Sequence, residues 1–300
     1  MENSGIEWTD HTANTHWGCD EVRPECDECY ARKWAERMGW TVNNSPKSKG
    51  ISLWNQFGPR LYQPGIWKSL TKFQKLAAGN IKTKTHFGAN IQSVFVGSMM
   101  DIGEKPMPLV NHIGKPLGID PNGLFEDDGQ IGNTREATTD DLRQQLFKNI
   151  WDGVSEMYPN LLFLFLSKRP SNYKKIIPAH WFTNPPKNVM FGTSVGQESS
   201  LMMVDQLLAT GPQFKYFLSC EPMIGGFSLR KYLSPAGYSA IRWVIVGGES
   251  GSERPFNLDW ARVLRDECQS ASVSYFFKQV DKVQPIPDDL MIREFPKFSV

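Results

Sequence analysis

The sequence predicts an α/β fold, a partial TIM-like (β/α) barrel of about six to seven parallel strands with long inserted loops. Three observations predict it: apolar strand-like runs recur at a near-constant interval, segments of helical period lie between them, and nearly every run ends in small or polar residues.

The runs begin at Val94 (VFVGS), Leu161 (LLFLFLS), Asn188 (NVMFGTS), Tyr216 (YFLSCEP), Trp243 (WVIVGGES) and Ser274 (SYFFKQ). From Leu161 onward the starts are 27, 28, 27 and 31 residues apart, the length of one β/α unit. The runs are continuously apolar rather than alternating, which is the pattern of a parallel sheet covered on both faces. A further, first strand is expected near Thr12–Trp17. An open doubly wound sheet is the alternative arrangement of the same units.

Helix signals fill the intervals. Thr138 is placed to cap a helix carrying Leu142, Leu146, Ile150 and Val154. Leu201, Val204, Leu207 and Leu208 share one face between Glu198 and Gly211, and Leu258, Val263, Leu264 and Cys268 repeat similarly between Asn257 and Ala271. Two stretches break the rhythm, one at about 39–92, rich in Gly, Pro, Asn and Lys, and one at about 102–138, with Gly, Pro and Asp clusters. The chain therefore reads as a single domain, 1–300, in which these inserts form lid or substrate-binding segments.

Composition narrows the partners. Lys plus Arg is 33 and Asp plus Glu is 32, a net charge of +1, so global charge selects none. Locally, no acidic residue occurs from Arg37 to Met100, where Arg37, Lys47, Lys49, Arg60, Lys68, Lys72, Lys75, Lys82 and Lys84 are interleaved with Trp40, Trp54, Phe57, Tyr62, Trp67, Phe73 and Phe87. Cations for phosphates and rings for bases suit a nucleic acid, and the competing reading is a solvated basic face over core aromatics. The N-terminal MENSGIEWTD lacks an apolar signal core, and no run is long enough to span a bilayer, so a cytoplasmic protein without membrane association is expected.

Three of the five cysteines lie within eleven residues, as Cys19-x6-Cys26-x2-Cys29, at the end of the expected first strand and the start of an expected helix Asp27–Met38 stopped by Gly39. This is a poor disulfide framework and a good metal-ligand set, which favours a reducing compartment. Three thiolates can hold three irons of a [4Fe-4S] cluster and leave the fourth open to a small chelating molecule. A Cys3His zinc site completed by His16 or His11 is the alternative, though structural zinc normally staples a small module rather than opening a large β/α array. Cys220 and Cys268 read as buried core thiols.

Chemistry in parallel β/α folds sits at the carboxyl ends of the strands. The polar strand ends are Ser98 and Asp101, Ser167 with Lys168 and Arg169, Thr193 and Ser194, Glu221, Gly247-Gly248-Glu249-Ser250, and Lys278 with Gln279. Each has a bland alternative: Lys168-Arg169-Pro170 as a solvated loop, Glu221-Pro222 as a cap, and Gly247-Gly248 as a turn. Trp8 and Trp17 read as packing residues.

The ordered blocks IEWTDHTANTHWGCDEVRPECDECYA, FVGSMMD, FLSKRP, FGTSVG, FLSCEP, WVIVGGESG and FFKQ resemble the phage Gp37/Gp68 family, a radical S-adenosylmethionine-like group, from about Ile6 to Pro296. The resemblance implies a barrel of the radical S-adenosylmethionine type, with a [4Fe-4S] cluster on Cys19, Cys26 and Cys29. It also implies reductive cleavage of S-adenosyl-L-methionine to a 5′-deoxyadenosyl radical and an electron donor such as flavodoxin or ferredoxin. In that frame Ser98, Asp101, Ser194, Glu221, Gly247, Gly248 and Glu249 are cofactor-binding candidates, and Lys168, Arg169 and Lys278 would receive a carboxylate or phosphate of the substrate. The resemblance points to modified DNA in a host cytoplasm and allows an isomerase of amino-acid-modified thymidine. Repair or modification of an ordinary base by the same radical chemistry, and a zinc-stapled nucleic-acid-binding protein without catalysis, are the alternatives. Six residues separate the first two cysteines where the commonest radical pattern has three. Glu28, not an aromatic, precedes the third, and the Gly-Gly-Glu follows a later strand than usual.

Overall fold

The computed structural model describes residues 1–41, 47–79, 87–126, 135–233, 240–249, 254–281 and 283–298. Its frame is a seven-stranded sheet of β1 (His11–Ala13), β2 (Gln92–Val96), β3 (Leu161–Ser167), β4 (Val189–Ser194), β5 (Lys215–Cys220), β6 (Ile241–Gly247) and β7 (Ser274–Gln279), paired in chain order. All six pairings are parallel. The sheet curls into a half-barrel, the coarse form of the expected architecture.

Alternation along each strand divides the core. In β3, Leu161, Phe163 and Phe165 face the helices, where α3 (Thr139–Ile150) supplies Leu146 and Phe147. Leu162 and Leu164 face inward and meet Met190, Phe217, Trp243 and Phe276. Trp8, Phe87 and the partly buried Phe295 join this inner cluster, and Trp8 lies 4.7 Å from Phe95 and 6.1 Å from Trp243, ring centre to centre. The half-barrel is thus a packed interior, and Trp8 is a packing residue as expected. Gly192, on the inward face of β4, is required by packing, since a Cβ there would stand 2.5 Å from the Phe217 ring.

The helices α1 (Tyr30–Arg37), α2 (Ile66–Ala78), α3, α4 (Tyr173–Ile176), α5 (Met202–Leu208) and α6 (Leu258–Ala271) complete the α/β pattern. Thr138 caps α3 through a reciprocal box with Asp141, and Asn257 caps α6 by accepting from the Asp259 N–H at 2.9 Å. Cys220 and Cys268 are fully buried, in keeping with core thiols.

Several local expectations are corrected. The first strand does not run through Thr12–Trp17. His11–Ala13 joins the parallel sheet, whereas His16–Trp17 pairs antiparallel with Arg60–Tyr62, which runs parallel to Leu109–Val110. Val154 lies beyond the end of α3 and is exposed. The cysteine helix starts at Tyr30 rather than Asp27, because Pro24–Cys26 forms a separate 3-10 turn ahead of it. The segment from Glu198 begins likewise with a 3-10 turn before α5.

The second insert builds a small antiparallel sheet of Gly118–Ile119 flanked by Phe125–Glu126 and Arg135–Glu136. Its apolar residues Leu117 and Ile119 pack with Leu109, Ala137 and Leu142, against the start of α3. Among the described residues no helix is long and apolar enough to cross a membrane.

Of the aromatics in the acid-free segment, Trp40, Phe73 and Phe87 are buried and Phe57 alone is exposed, so core packing accounts for most of them and a continuous stacking surface is not formed. Arg60 is buried as well. Arg37, Lys47, Lys49, Lys68, Lys72 and Lys75 are exposed, Lys72 being paired with Glu2 at 2.5 Å. Lys82, Lys84 and Ser250 lie outside the described residues.

Candidate functional site

The carboxyl ends of the strands open onto a cavity of about 440 Å³. Cys19, Cys26 and Cys29 all line it, together with Ser98, Asp101, Lys168, Arg169, Ser194, Glu221, Glu249 and Lys278. The topology explains the convergence. Side chains two residues beyond an inward core position also point inward, so Leu166 follows Leu164, Ser219 follows Phe217, and Lys278 follows Phe276.

Gly18 sets the entry of the cysteine loop. Its φ is +120°, its N–H donates to the Met99 carbonyl at 3.0 Å, and a Cβ would lie 2.6 Å from the Leu53 carbonyl oxygen. Cys19 then donates its N–H to Leu53 O at 3.1 Å, Cys26 closes the 3-10 turn, and Cys29 stands at the N-cap of α1. Arg60, beneath this loop, is fully buried. It forms a double-pronged pair with Glu104 at 2.9 and 2.6 Å and donates to the carbonyls of Leu53, Asn55, Gly58 and Pro59.

The electrostatics of the cavity are organised by Arg169. Its Nη1 lies 2.8 Å from Asp101 Oδ2 and 3.9 Å from the Cys19 sulfur, and its Nη2 donates to the Asp20 carbonyl at 2.7 Å. Asp101 also accepts from Ser167 Oγ at 2.5 Å and from the Gly103 and Lys168 N–H groups at 2.8 and 3.1 Å. Burial lowers the Lys168 ammonium, but Cys26 and Cys29 as thiolates, with Asp101 and a deprotonated Cys19, would outweigh it and hold the proton more firmly than usual. Burial, reinforced by Asp101 and Glu104, pushes the Cys19 thiol up, and Arg169 opposes the shift only in part. A metal would therefore bind Cys19 by displacing its proton.

Other predicted residues are already engaged. Lys278 is ion-paired with Glu221, and Glu249 with Arg254, whose Nε lies 2.7 Å from Glu249 Oε2 and whose Nη1 donates to the Pro24 carbonyl at 3.0 Å. Ser98 Oγ accepts from Asn14 Nδ2 at 2.8 Å, and the Tyr30 hydroxyl donates to the Ser98 carbonyl. Gly247 and Gly248 are not cavity-lining. Gly248 is required by packing instead, since a Cβ there would stand 1.9 Å from the Val280 carbonyl oxygen.

Sequence reasoning missed Glu25, Arg254, Asn14 and Ser219. Ser219 was signalled by strand alternation. Glu25 was signalled only by its place between Cys19 and Cys26. It is buried, and its Oε1 accepts from the Gly196 N–H at 3.1 Å and from the Ser200 hydroxyl, while Oε2 has no hydrogen-bond partner.

A second cavity of about 1150 Å³ shares Ile6, Tyr30, Ser98, Met99 and Lys278 with the first and extends past Trp17, Trp34 and Arg37. Gln63, Gly65, Ile66 and Ser69 of the first insert line it, and Trp54 lines the cysteine cavity. Among its described residues the second insert lines neither cavity, and its apolar residues pack against the start of α3.

As it stands, no group of three His, Cys, Asp or Glu side chains among the described residues is gathered closely enough to hold a single metal ion. Three thiols nonetheless line the same cavity as two cations that would offset the charge of deprotonated sulfurs, a donor set that would suit a thiolate-ligated centre.

Fold and site together define an α/β half-barrel protein with a thiol-lined cavity at the carboxyl ends of its parallel strands. Residues 3–113 and 135–290 match the family described as Protein of unknown function (DUF5131), and the chain belongs to that family. The unmatched stretch between those blocks falls within the second insert. No curated protein and no solved structure matches the chain.

Proposed function

We propose that the chain is a radical S-adenosylmethionine enzyme acting on a nucleic-acid-linked substrate, in its narrowest form an isomerase of amino-acid-modified thymidine in DNA. The observation that carries the reading is that Cys19, Cys26 and Cys29 line one cavity with Lys168, Arg169 and the polar strand ends of a parallel half-barrel. Cys19, Cys26 and Cys29 would hold a [4Fe-4S] cluster, which when bound supplies reductive cleavage of S-adenosyl-L-methionine to a 5′-deoxyadenosyl radical.

The chain's own residues orient and shield. Arg169 fixes Asp20, Asp101 and Cys19 relative to one another. Trp8, Phe95 and Leu166 give the cavity an apolar part to its lining, which would limit water at the reacting atoms. Ser194, whose buried hydroxyl has no partner, is free to take a polar group of a bound molecule. The adjoining larger cavity gives room for a substrate next to the thiols, and Arg37 on its wall suits a phosphate.

The test is anaerobic. Protein reconstituted with iron and sulfide is incubated with S-adenosyl-L-methionine, dithionite and DNA carrying amino-acid-modified thymidine. Release of 5′-deoxyadenosine, or exchange of deuterium from labelled substrate, and a shifted nucleoside chromatographic profile are expected. Intact cofactor, no exchange and an unchanged profile would overturn the proposal.

A further inference from the structure

The larger cavity beside the thiols has a wall of its own character. On α1, Tyr30, Trp34 and Arg37 stand at intervals of four and three residues, so one side of the helix presents two flat rings and a guanidinium to a space of about 1150 Å³. Ala31 and Ala35, on the adjoining side, are buried. Tyr30 is 53% exposed. Trp34 is half-buried, and its ring meets that of Trp17 edge to face, 4.7 Å between centres and 79° between planes. Trp17 is held in turn by the pairing of its strand with Arg60–Tyr62, so it braces the Trp34 indole at the cavity wall. Gln63, Gly65, Ile66 and Ser69, at the start of α2, also line this space, and a Cβ at Gly65 would meet nothing within 4 Å.

Charge and size narrow the ligand. The charged side chains lining this cavity are Arg37, Lys278, Arg293 and Glu7, three cations against one carboxylate. Arg293 is paired with Glu7 at 2.9 Å, and Lys278 with Glu221. Arg37 is exposed and has no ion-pair partner among the described residues. This lining suits an anion, and the rings beside Arg37 suit one that carries flat groups. The volume exceeds the about 300–1,000 Å³ typical of small-molecule pockets, which leaves room for more than one nucleotide.

We infer that this cavity is a binding site for single-stranded nucleic acid: an unpaired base stacks on Trp34 and Tyr30 while Arg37 meets a flanking phosphate. A duplex keeps its bases stacked inside and offers no ring face to Trp34, so the bound segment is unpaired or extruded. Tyr30 lines both cavities, which sets the strand beside the thiols. The inference rests on the nucleic-acid part of the reading above and not on iron or radical chemistry.

The probe is a fluorescein-labelled DNA strand of about twelve nucleotides, read by anisotropy against the full-length chain with any metal it retains, without reductant or S-adenosyl-L-methionine. Unlabelled competitors are the same strand, its duplex, an abasic strand of equal length and thymidine monophosphate. The base-bearing strand is expected to compete at least about tenfold more strongly than each of the other three. Trp34→Leu, which keeps an apolar contact for Trp17, should weaken the base-bearing strand about tenfold and leave the abasic strand within about twofold. Arg37→Gln should weaken both strands and lower the log–log salt slope by about 0.7. Lys174→Gln, at an exposed lysine of α4 that lines neither cavity, should change nothing. A duplex, abasic strand or mononucleotide that binds as tightly as the base-bearing strand, no binding at all, or equal losses in Arg37→Gln and Lys174→Gln would each overturn the assignment. The wild-type comparison is readable even if a variant fails to fold. Failure of the strand site shows as absent or base-indifferent binding, whereas failure of the radical chemistry shows as intact S-adenosyl-L-methionine, so the two are told apart.

Discussion

Arg169 and Asp101 are joined through Nη1 and Oδ2 at 2.8 Å, which fastens the loop after β3 to the loop after β2 and places the guanidinium against the Cys19 sulfur. Both side chains are largely buried, so removing either partner strands a charge in a poorly solvated place. Arg169→Gln and Asp101→Asn are each expected to cost about 3 kcal/mol, read from urea unfolding. Arg169→Lys should recover only part of this, since a single ammonium cannot span Asp101, Asp20 and Cys19 at once. Variants as stable as the wild type would show that this link does not hold the cysteine loop.

Arg60 is the structural counterpart deeper in the fold. Its pair with Glu104 and its four backbone acceptors tie the first insert to the chain below the cysteines. Glu104→Ala leaves that guanidinium buried and unpaired, and a loss of about 3–5 kcal/mol in the same unfolding assay is expected.

His16 predicts a pH dependence. Burial, with Arg60 and Arg143 nearby, holds its imidazole well below the ordinary range. The folded chain keeps it neutral, whereas the unfolded chain takes up a proton below about pH 6.5. Its contribution is therefore complete above that pH and declines as pH falls toward the folded value, by up to about 1.4 kcal/mol per pH unit. His16→Gln should give a shallower decline of urea midpoints between about pH 6.5 and 5 than the wild type. Parallel declines would contradict the assignment.

The adjacent glycines Gly247 and Gly248, at the end of β6, should separate cleanly. A methyl at Gly247 has 3.2 Å to the Gln279 carbonyl oxygen, and one at Gly248 has 1.9 Å to that of Val280. Gly248→Ala is expected to destabilise by about 2–3 kcal/mol or more, and Gly247→Ala by well under half as much, measured as unfolding free energies. Comparable losses would mean that Gly248 is held by something other than the close approach to β7.

How much of this was legible follows from what the sequence encodes locally. Continuous apolar runs, evenly spaced from β3 onward, identified β2 to β7 as strands of a parallel sheet, and the polar residues closing those runs identified nine of the residues that line the cavity. The first strand was misjudged because His11–Ala13 and His16–Trp17 are too short to carry a period, and they separate into two sheets through pairings with residues far along the chain. The two-residue strands of the second insert were invisible for the same reason. Ion pairing was also beyond reach: Lys278 and Arg169 read as free cations, although their carboxylate partners were themselves predicted as site residues. Glu25 escaped notice because its partners Gly196 and Ser200 are 171 and 175 residues away.

The most direct test is the metal content of protein purified and reconstituted without oxygen, with iron, acid-labile sulfide and zinc measured per chain in the wild type and in Cys19→Ser, Cys26→Ser and Cys29→Ser. The account predicts about four irons and four sulfides per wild-type chain, with a marked loss in each variant. One tightly held zinc per chain and no sulfide, or iron that is indifferent to all three substitutions, would contradict it.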